Sequence, residues 1–294
     1  MLLIECLKAI LYGIVEGITE WLPVSSTGHL ILVEDWLPFA FTQDAALLAE
    51  FWEMFEVVIQ LGAILAVVIL FWSRLWPFGK QKGQAEKKST WTLWGKVVVA
   101  SIPAALIGIV GDKILEEVSG KDIDGWLYNS VVVAVALIVY GIAFLFIERK
   151  RGTREPRVHD VGEISLRTAL FIGAFQALSI VPGTSRSGST ILGSMLLGLS
   201  RTAGAEFSFF MAIPAMVGAS GIKILGFGKW VMETEVAIPA EAWIVLAVGC
   251  LVSFLVSMVA IRFLMDFVKK HSFAPFGVYR IILGVIVLGL WILQ

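Results

Sequence analysis

Long apolar segments alternate with short polar segments along this chain. A helix needs about 20 apolar residues to cross a membrane. Six segments meet that length and predict transmembrane helices: 52–72, 92–111, 126–147, 205–226, 242–265 and 276–293. The chain is 58% hydrophobic and 16% charged, whereas a soluble domain carries roughly 25% charged residues. Pattern and composition together predict a polytopic, all-α integral membrane protein.

Two further apolar stretches, 2–38 and 168–199, are interrupted by polar residues. Each contains a turn and is too short for two complete crossings, which need about 40 residues plus the turn. We therefore expect each to form a re-entrant hairpin of two half-helices, because irregular backbone is tolerated at membrane depth only where protein or water surrounds it. A spanning first helix would fit the loop charges almost as well.

The charges of the connecting segments predict the orientation. Segments 73–90, 148–168 and 262–280 are rich in Lys and Arg, whereas 34–56, 112–124 and 226–241 are acidic or poor in them. By the positive-inside rule the basic segments are cytoplasmic. All segments agree with this rule if the first hairpin enters and leaves the membrane on the extracytoplasmic side and the second on the cytoplasmic side. Both chain termini then lie outside.

A weak internal repeat predicts two halves. Residues 13–16 resemble residues 173–176, and residues 23–26 resemble residues 182–185. Three crossings in each half make the halves inverted in topology, and inverted repeats place their site near the midplane between them. The two polar turns should therefore face each other. The predicted halves are 1–150, with hairpin 2–38 and three spans, and 151–294, with hairpin 168–199 and three spans.

The first polar run contains two carboxylates, Glu16 and Glu20, four residues apart on one helix face. Ionisable groups at membrane depth are costly and usually functional. The pair predicts either a divalent-cation site or a general acid and base. Mg²⁺ suits such a site, because it is commonly held by one or two carboxylates plus substrate phosphate oxygens. The alternative is a buried pair satisfied by neighbouring hydroxyls.

Hydroxyl residues and a histidine follow the two carboxylates. Ser26 and His29 are three residues apart, a spacing that would bring a hydroxyl beside an imidazole on a helix. Such a pair can act as a nucleophile and its base, or His29 itself could attack phosphorus. Ser25 and Thr27 are explained equally well by ordinary helix capping. A capped half-helix would also direct free N–H groups at an anion.

The second polar run, residues 182–190, has Arg186 at its centre. A guanidinium is a bidentate partner for phosphate oxygens and stays charged at physiological pH. The alternative is a salt bridge from Arg186 to Glu16 or Glu20. The hydroxyls beside Arg186 in this run are those of Ser185, Ser187 and Thr190.

Other features narrow the function classes. Arg201 begins the next span, where a cytoplasmic membrane anchor explains it about as well as substrate binding does. Cys6 and Cys250 lie in apolar segments and are interpreted as core residues rather than a disulfide or metal pair. A net charge of −1 without a basic arm gives no support for nucleic-acid binding. The N-terminus lacks the pattern of a cleaved signal peptide, so we expect it to be retained.

These motifs together make the chain resemble the undecaprenyl-diphosphate phosphatase family, the bacitracin-resistance membrane proteins of bacteria. The motifs are Glu16-Gly-Ile-Thr-Glu20, Leu22-Pro-Val-Ser-Ser-Thr-Gly-His29, Phe55-Glu-Val-Val-Ile-Gln60-Leu-Gly62, Pro182-Gly-Thr-Ser-Arg-Ser-Gly188 and Glu206-Phe-Ser-Phe209. The resemblance implies removal of the terminal phosphate of undecaprenyl diphosphate, which yields the carrier lipid of peptidoglycan synthesis. It also implies a divalent cation such as Mg²⁺ or Ca²⁺, and a homodimer in the cytoplasmic (inner) membrane. The implied site opens to the extracytoplasmic side.

The family's functional positions matched by this sequence are Glu16, Glu20, Ser26, His29, Ser185, Arg186, Thr190 and Arg201. We expect Ser26 to attack, with His29 or Glu20 accepting its proton, and we expect Glu16 and Glu20 to hold Mg²⁺. The expected phosphate-binding residues are Arg186, Ser185, Ser187, Thr190, Thr27 and Arg201.

The main alternative is a transporter or flippase for an anionic lipid or solute, because inverted repeats around a midplane site are a transporter architecture. Transport requires charge complementarity but no hydroxyl beside a base, so Ser26 and His29 discriminate between the two functions. A purely structural membrane scaffold would not need several buried ionisable groups.

Overall fold

The fold is built almost entirely of helices. A computed structural model describes residues 2–79, 82–120, 123–127, 129–151 and 155–293. Lys80, Arg154 and residues 121–122, which belong to the segments used for the orientation, lie outside this part. The described ranges contain ten helices of at least eleven residues: α1 (Leu2–Thr19), α2 (Ser26–Trp36), α3 (Ala45–Leu70), α4 (Gln84–Leu106), α5 (Ser130–Arg151), α6 (Leu166–Ala177), α7 (Arg186–Leu196), α8 (Arg201–Thr234), α9 (Ala240–Lys270) and α10 (Ala274–Leu293).

Six of these helices, α3, α4, α5, α8, α9 and α10, are long and apolar enough to cross a membrane. The predicted all-α integral membrane class and its six spans are confirmed. Most of the helices extend beyond the limits of the predicted apolar segments. Helical hydrogen bonding continues into the polar residues on either side, which hydropathy does not assign to a span. The clearest case is α4, which continues through a π-helical turn at Ile107–Gly111 into a helix at Asp112–Ser119.

The two remaining apolar stretches form helical hairpins. Residues 20–25 join α1 to α2, and residues 178–185, which begin with a 3₁₀ turn at Leu178–Ile180, join α6 to α7. The eleven-residue helices α2 and α7 are each roughly 16 Å long, which is about half the thickness of a hydrocarbon core. With 18 residues, α1 is longer than a half-helix. That the hairpins re-enter the membrane stays a prediction.

Equivalent helices of the two predicted halves pack in equivalent ways. Helix α1 packs along α9, and its counterpart α6 packs along α4. The counterparts α3 and α8 pack on each other, as do α5 and α10. A pseudo-two-fold relation between residues 1–150 and 151–294 would produce these matching pairs of packed helices. The inverted orientation of the halves in a membrane stays a prediction.

Small residues allow these helices to approach closely. A Cβ atom added to Gly173 of α6 would lie 2.0 Å from the carbonyl oxygen of Ala100 on α4. One added to Gly62 of α3 would lie 2.1 Å from the carbonyl oxygen of Cys250 on α9. Such contacts matter in lipid, where helix association depends on close van der Waals packing rather than on the hydrophobic effect.

Gly173→Ala is expected to lower the melting temperature of the purified protein in detergent. The added methyl group cannot be accommodated unless α6 moves away from α4, and overpacking typically costs about 1–3 kcal/mol. The matched control is Gly95→Ala on α4, where an added Cβ meets no atom within 4 Å. Equal melting temperatures for the two variants would contradict the close contact.

Candidate active site

The turn of each hairpin ends in a serine that caps the following helix. Ser25 Oγ accepts a hydrogen bond from Gly28 N at 3.3 Å, and Ser185 Oγ accepts one from Gly188 N at 3.1 Å. Both serines have positive φ angles, 75° and 69°. This conformation is uncommon for residues other than glycine and persists where the surrounding structure imposes it. The two turns therefore share an unusual local geometry.

These caps correct the predicted alignment of the two turns. Ser25 and Ser185 hold the same cap position 160 residues apart, so Ser26 is the counterpart of Arg186. The sequence repeat had set Ser26 against Ser185, one residue out of register, because it followed the prolines of the two turns. The position of the cap, and not the position of the proline, fixes where each second helix begins.

A hydroxyl, a carboxylate and a guanidinium form one hydrogen-bonded cluster between the turns. Ser26 Oγ donates to Glu20 Oε2 at 2.7 Å, and Arg186 donates to Glu20 Oε1 from Nη2 at 2.9 Å and from Nε at 3.3 Å. Arg186 Nη1 donates to the carbonyl oxygen of Ser208 on α8 at 2.8 Å. The predicted salt bridge between Arg186 and Glu20 is therefore present. A carboxylate in this position can accept the proton of the serine hydroxyl.

The cluster lines a cavity of about 500 Å³ bounded by both hairpins, α3 and α8. Its polar lining residues are Glu20, Ser25, Ser26, Thr27, Glu56, Gln60, Ser179, Ser185, Arg186 and Lys223. Apolar side chains, among them Leu30 and Met216, complete the wall. A cavity with apolar walls and a few convergent polar groups is typical of a ligand site.

Glu16 lies one helical turn before Glu20 and is completely buried. Among the described residues neither of its carboxylate oxygens has a hydrogen-bond partner. An unpaired buried charge is unfavourable, so this group requires a cation or a proton. No group of three or more His, Cys, Asp or Glu side chains in the described ranges is arranged to hold a metal. Glu16 is not among the residues that line the cavity, and the expected Mg²⁺ site at Glu16 and Glu20 stays a prediction.

The structure does not bring His29 to Ser26. The Nδ1 atom of His29 lies 2.6 Å from the carbonyl oxygen of Ser25, and its Nε2 atom lies 2.7 Å from the hydroxyl of Tyr279 on α10. Because a carbonyl only accepts, Nδ1 carries the proton and Nε2 accepts from the tyrosine. Of the two proton acceptors expected for Ser26, its hydroxyl contacts Glu20, while α10 supplies the partner of His29.

Two predicted phosphate-binding hydroxyls bond other parts of the protein in the described structure. Thr190 Oγ1 is fully buried and lies 2.6 Å from the hydroxyl of Ser208 on α8. Ser187 Oγ donates to the backbone carbonyl of Glu20 at 2.9 Å. Neither residue lines the cavity, because Thr190 faces α8 and Ser187 faces the first hairpin turn. Of the expected hydroxyls, those of Thr27 and Ser185 do line the cavity.

Arg201 is remote from the cluster and does not line the cavity. It donates to the Glu148 carboxylate of α5 from Nε at 2.9 Å and from Nη2 at 2.5 Å. The same carboxylate accepts a hydrogen bond from Phe273 N at 2.7 Å. This buried Glu148 therefore fastens α5, α8 and the start of α10 to one another. Glu148 is thus the partner of Arg201 in the described structure, and phosphate binding by Arg201 stays a prediction.

Arg201→Ala is expected to lower the melting temperature while leaving the KM for substrate nearly unchanged. The change leaves the buried Glu148 carboxylate without its cationic partner, and breaking one side of a buried pair is destabilising. Combining it with Glu148→Gln should restore part of the lost stability, because no unpaired charge then remains. A higher KM with an unchanged melting temperature would place Arg201 at the substrate.

Sequence reasoning did not include Gln60 and Lys223 among the site residues, although both line the cavity. Glu56 lines it as well, and both Glu56 and Gln60 belong to the motif at residues 55–62 without an assigned role. The available signal was their position, since all three are polar residues within long apolar helices. Polar residues at such depth usually face a bundle interior or a cavity.

The fold and the cluster define a class: a multi-pass helical membrane protein whose cavity, lined by an arginine and hydroxyls, lies between two hairpins. The chain matches the family described as bacitracin resistance protein BacA over residues 9–286. It is 48% identical to an undecaprenyl-diphosphatase of Enterococcus faecalis, over 99% of both chains. It is also 52% identical to an undecaprenyl-diphosphatase of Streptococcus pyogenes, over 98% of this chain and 97% of the relative. The chain belongs to the BacA family.

Proposed function

We propose that this chain is an undecaprenyl-diphosphatase, which hydrolyses undecaprenyl diphosphate to undecaprenyl phosphate and orthophosphate. The observation that carries the proposal is the contact of Ser26 and Arg186 with the same carboxylate, Glu20, inside a cavity. Membership of the BacA family and relatives of about 50% identity support the same activity. The reaction returns the carrier lipid to cell-wall synthesis, which fits the bacitracin resistance in the family's description.

In the first step of the proposed mechanism, Ser26 Oγ attacks the terminal phosphorus in line with the bridging oxygen. Its proton passes to Glu20 Oε2, the atom to which the hydroxyl already donates. The bond between the terminal phosphorus and the bridging oxygen breaks, and undecaprenyl phosphate leaves with the bonding electrons. Arg186 supplies positive charge to the phosphate oxygens, on which charge develops in the transition state.

In the second step water attacks the phosphorus of the phosphoserine. The serine oxygen leaves and takes back the proton held by Glu20. One proton of the attacking water stays on orthophosphate, and the other passes to solvent. Attack by His29 is less well supported, because its ring nitrogens are engaged with Ser25 and Tyr279.

Glu16 is the residue that would hold a divalent cation such as Mg²⁺. Its two unpartnered, buried carboxylate oxygens match the preference of Mg²⁺ for a few carboxylate ligands supplemented by phosphate oxygens. Bound there, the cation would neutralise phosphate charge beside Glu20. Glu20 could contribute a ligand through its Oε2 atom, which accepts one hydrogen bond from Ser26 and keeps a second lone pair.

We also propose where the protein is located and how it assembles. We place the protein in the bacterial cytoplasmic membrane, with the cavity opening to the extracytoplasmic side, on the charges of its loops. The resemblance to the family further suggests a homodimer. A single cysteine introduced at position 120 should react with an impermeant reagent in intact cells, and cross-linking in membranes should give a dimer band.

The experiment that tests this function is phosphate release from undecaprenyl diphosphate by the purified protein in detergent, with Mg²⁺ and with excess EDTA. We expect release with Mg²⁺ and strong suppression by EDTA. Release at the same rate in EDTA would remove the cation from the proposal and leave the phosphatase intact. No release by well-folded protein in either condition would contradict the activity.

A transporter for an anionic lipid is the second candidate. It is favoured by the equivalent packing of corresponding helices in the two halves, which is typical of transporters with inverted repeats. The contact of Ser26 with Glu20 argues for chemistry over transport. Movement of a labelled anionic lipid across reconstituted vesicles, without phosphate release, would support the transporter.

A further inference from the structure

Arg280 of α10 is a completely buried arginine whose contacts set it apart from the other charged groups near the site. Its hydrogen bonds in the described structure all go to backbone carbonyl oxygens, and its Nε has no partner there. The guanidinium also lies over the ring of Tyr140 on α5, 5.4 Å from the ring centroid. Burying a charged group is costly unless fixed partners satisfy it, so this placement needs an explanation.

The carbonyls that Arg280 binds belong to both hairpin turns. Nη1 donates to the carbonyl oxygen of Pro23 at 3.1 Å in the first turn. Nη2 donates to the carbonyl oxygens of Gly183 at 2.6 Å and Thr184 at 2.9 Å in the second turn. One planar guanidinium therefore bridges two segments that are far apart in sequence.

The two bridged positions are equivalent. Pro23 and Gly183 are 160 residues apart, the same separation as the helix caps Ser25 and Ser185. Arg280 thus contacts the same carbonyl position in each turn, which puts its side chain at the junction of the two halves. Gly188 leaves room for it, because a Cβ atom there would lie 3.1 Å from Nη1.

The groups proposed to act on phosphate follow directly after these carbonyls. Ser26 is three residues beyond Pro23, and Arg186 is three residues beyond Gly183. Both are the first residues of their helices, α2 and α7. Any slippage between the turns would therefore change the distance between the hydroxyl and the guanidinium. Reaction rates are sensitive to displacements of about 1 Å at such groups.

We propose that Arg280 is a positioning residue that holds the two hairpin turns in register, so that Ser26 and Arg186 engage the same phosphate. The proposal rests on the proposed phosphatase function for its kinetic consequence, whereas its structural consequence is independent of it. The rigid, multiple-donor geometry of a guanidinium suits this bridge, and the single ammonium of lysine cannot reach all three carbonyls in the same way.

The kinetic test compares Arg280→Lys and Arg280→Gln with wild type in phosphate release from undecaprenyl diphosphate. We expect kcat to fall about 10- to 100-fold in Arg280→Lys and further in Arg280→Gln, with KM changed less than about 3-fold. The matched control is Arg262→Gln, an exposed arginine on the preceding helix α9, which should behave as wild type. Wild-type kcat in both Arg280 variants, or a rise in KM alone, would overturn the proposal.

The structural test measures the distance between the hairpins directly. Spin labels are placed at Asp35 on α2 and Leu196 on α7, both exposed, in a background with Cys6 and Cys250 replaced by alanine. We expect a narrow distance distribution with Arg280 and a broader or shifted one in Arg280→Lys. An unchanged distribution would overturn the proposal.

The two tests separate the possible failures. If the wild-type protein releases no phosphate, the proposed function fails, yet the distance measurement still tests whether Arg280 bridges the turns. If neither Arg280 variant folds, as judged by its melting curve, the positioning role is overturned and Arg280 is a structural residue of the core.

Discussion

Replacing Ser26 with alanine is expected to reduce kcat for phosphate release from undecaprenyl diphosphate by at least about 1,000-fold. The change removes the only hydroxyl that the described structure bonds to the Glu20 carboxylate and leaves the other contacts of the cluster in place. The measurement is the initial rate under saturating substrate. Binding of a non-hydrolysable diphosphate analogue should change little, because Arg186 is retained.

The matched control for this variant is Ser101→Ala. Ser101 lies on α4, away from the cavity, and its hydroxyl bonds only the preceding turn of its own helix. It should retain the wild-type rate. His29→Gln should also retain most of the activity, because His29 is engaged outside the cavity. Wild-type turnover by Ser26→Ala together with inactive His29→Gln would make the histidine the nucleophile.

Arg186→Ala is expected to have an effect of similar size, with kcat reduced about 100- to 1,000-fold. Arg186 binds the same carboxylate as the candidate nucleophile, and its loss leaves the Glu20 carboxylate with the serine hydroxyl as its remaining side-chain partner in the described structure. Arg186→Lys keeps the charge but loses the two-pronged contact, so it should recover only part of the rate.

The control for Arg186 is Arg149→Ala, an exposed arginine near the end of α5 that should leave kcat and KM unchanged. The melting temperature of each variant separates a lost catalytic contact from a lost fold. A wild-type rate in well-folded Arg186→Ala would remove the guanidinium from the mechanism. If the loss of kcat follows the melting temperature across the variants, the effect of Arg186 is one of packing alone.

The spans of this fold could be predicted because hydropathy measures the property that places them in a membrane. Segment lengths also predicted that 2–38 and 168–199 form hairpins, since neither can hold two crossings. The close contacts at Gly62 and Gly173 could not be predicted. A glycine within an apolar segment gives no sign of which helix approaches it.

The cluster itself could be predicted in part. The types and local spacing of Glu20, Ser26 and Arg186 indicated phosphate chemistry, and the internal repeat indicated that their turns meet. Which partner each side chain takes depends on contacts between distant segments. The pairing of Arg201 with Glu148 is such a contact, and a single sequence carries no signal for it.

The predicted alignment of the two turns was wrong by one residue, and this error had the largest consequence for the site. The sequence repeat aligned prolines, whereas the folded chain aligns the helix caps, and a shift of one residue changes which side chain opens each helix. With the correct register Ser26 and Arg186 become counterparts. The proposed nucleophile and the proposed phosphate-binding cation thus occupy one structural position in the two halves.

The most direct test of the account is a reaction with undecaprenyl diphosphate labelled with ³²P in its terminal phosphate, quenched rapidly in SDS at neutral pH. Separate portions are then treated with acid or with alkali before peptide mapping. We expect acid-stable label on the peptide that contains Ser26, and no label on the Ser26→Ala protein. Acid-labile, alkali-stable label on the peptide of the Ser26→Ala protein that contains His29 would contradict the account.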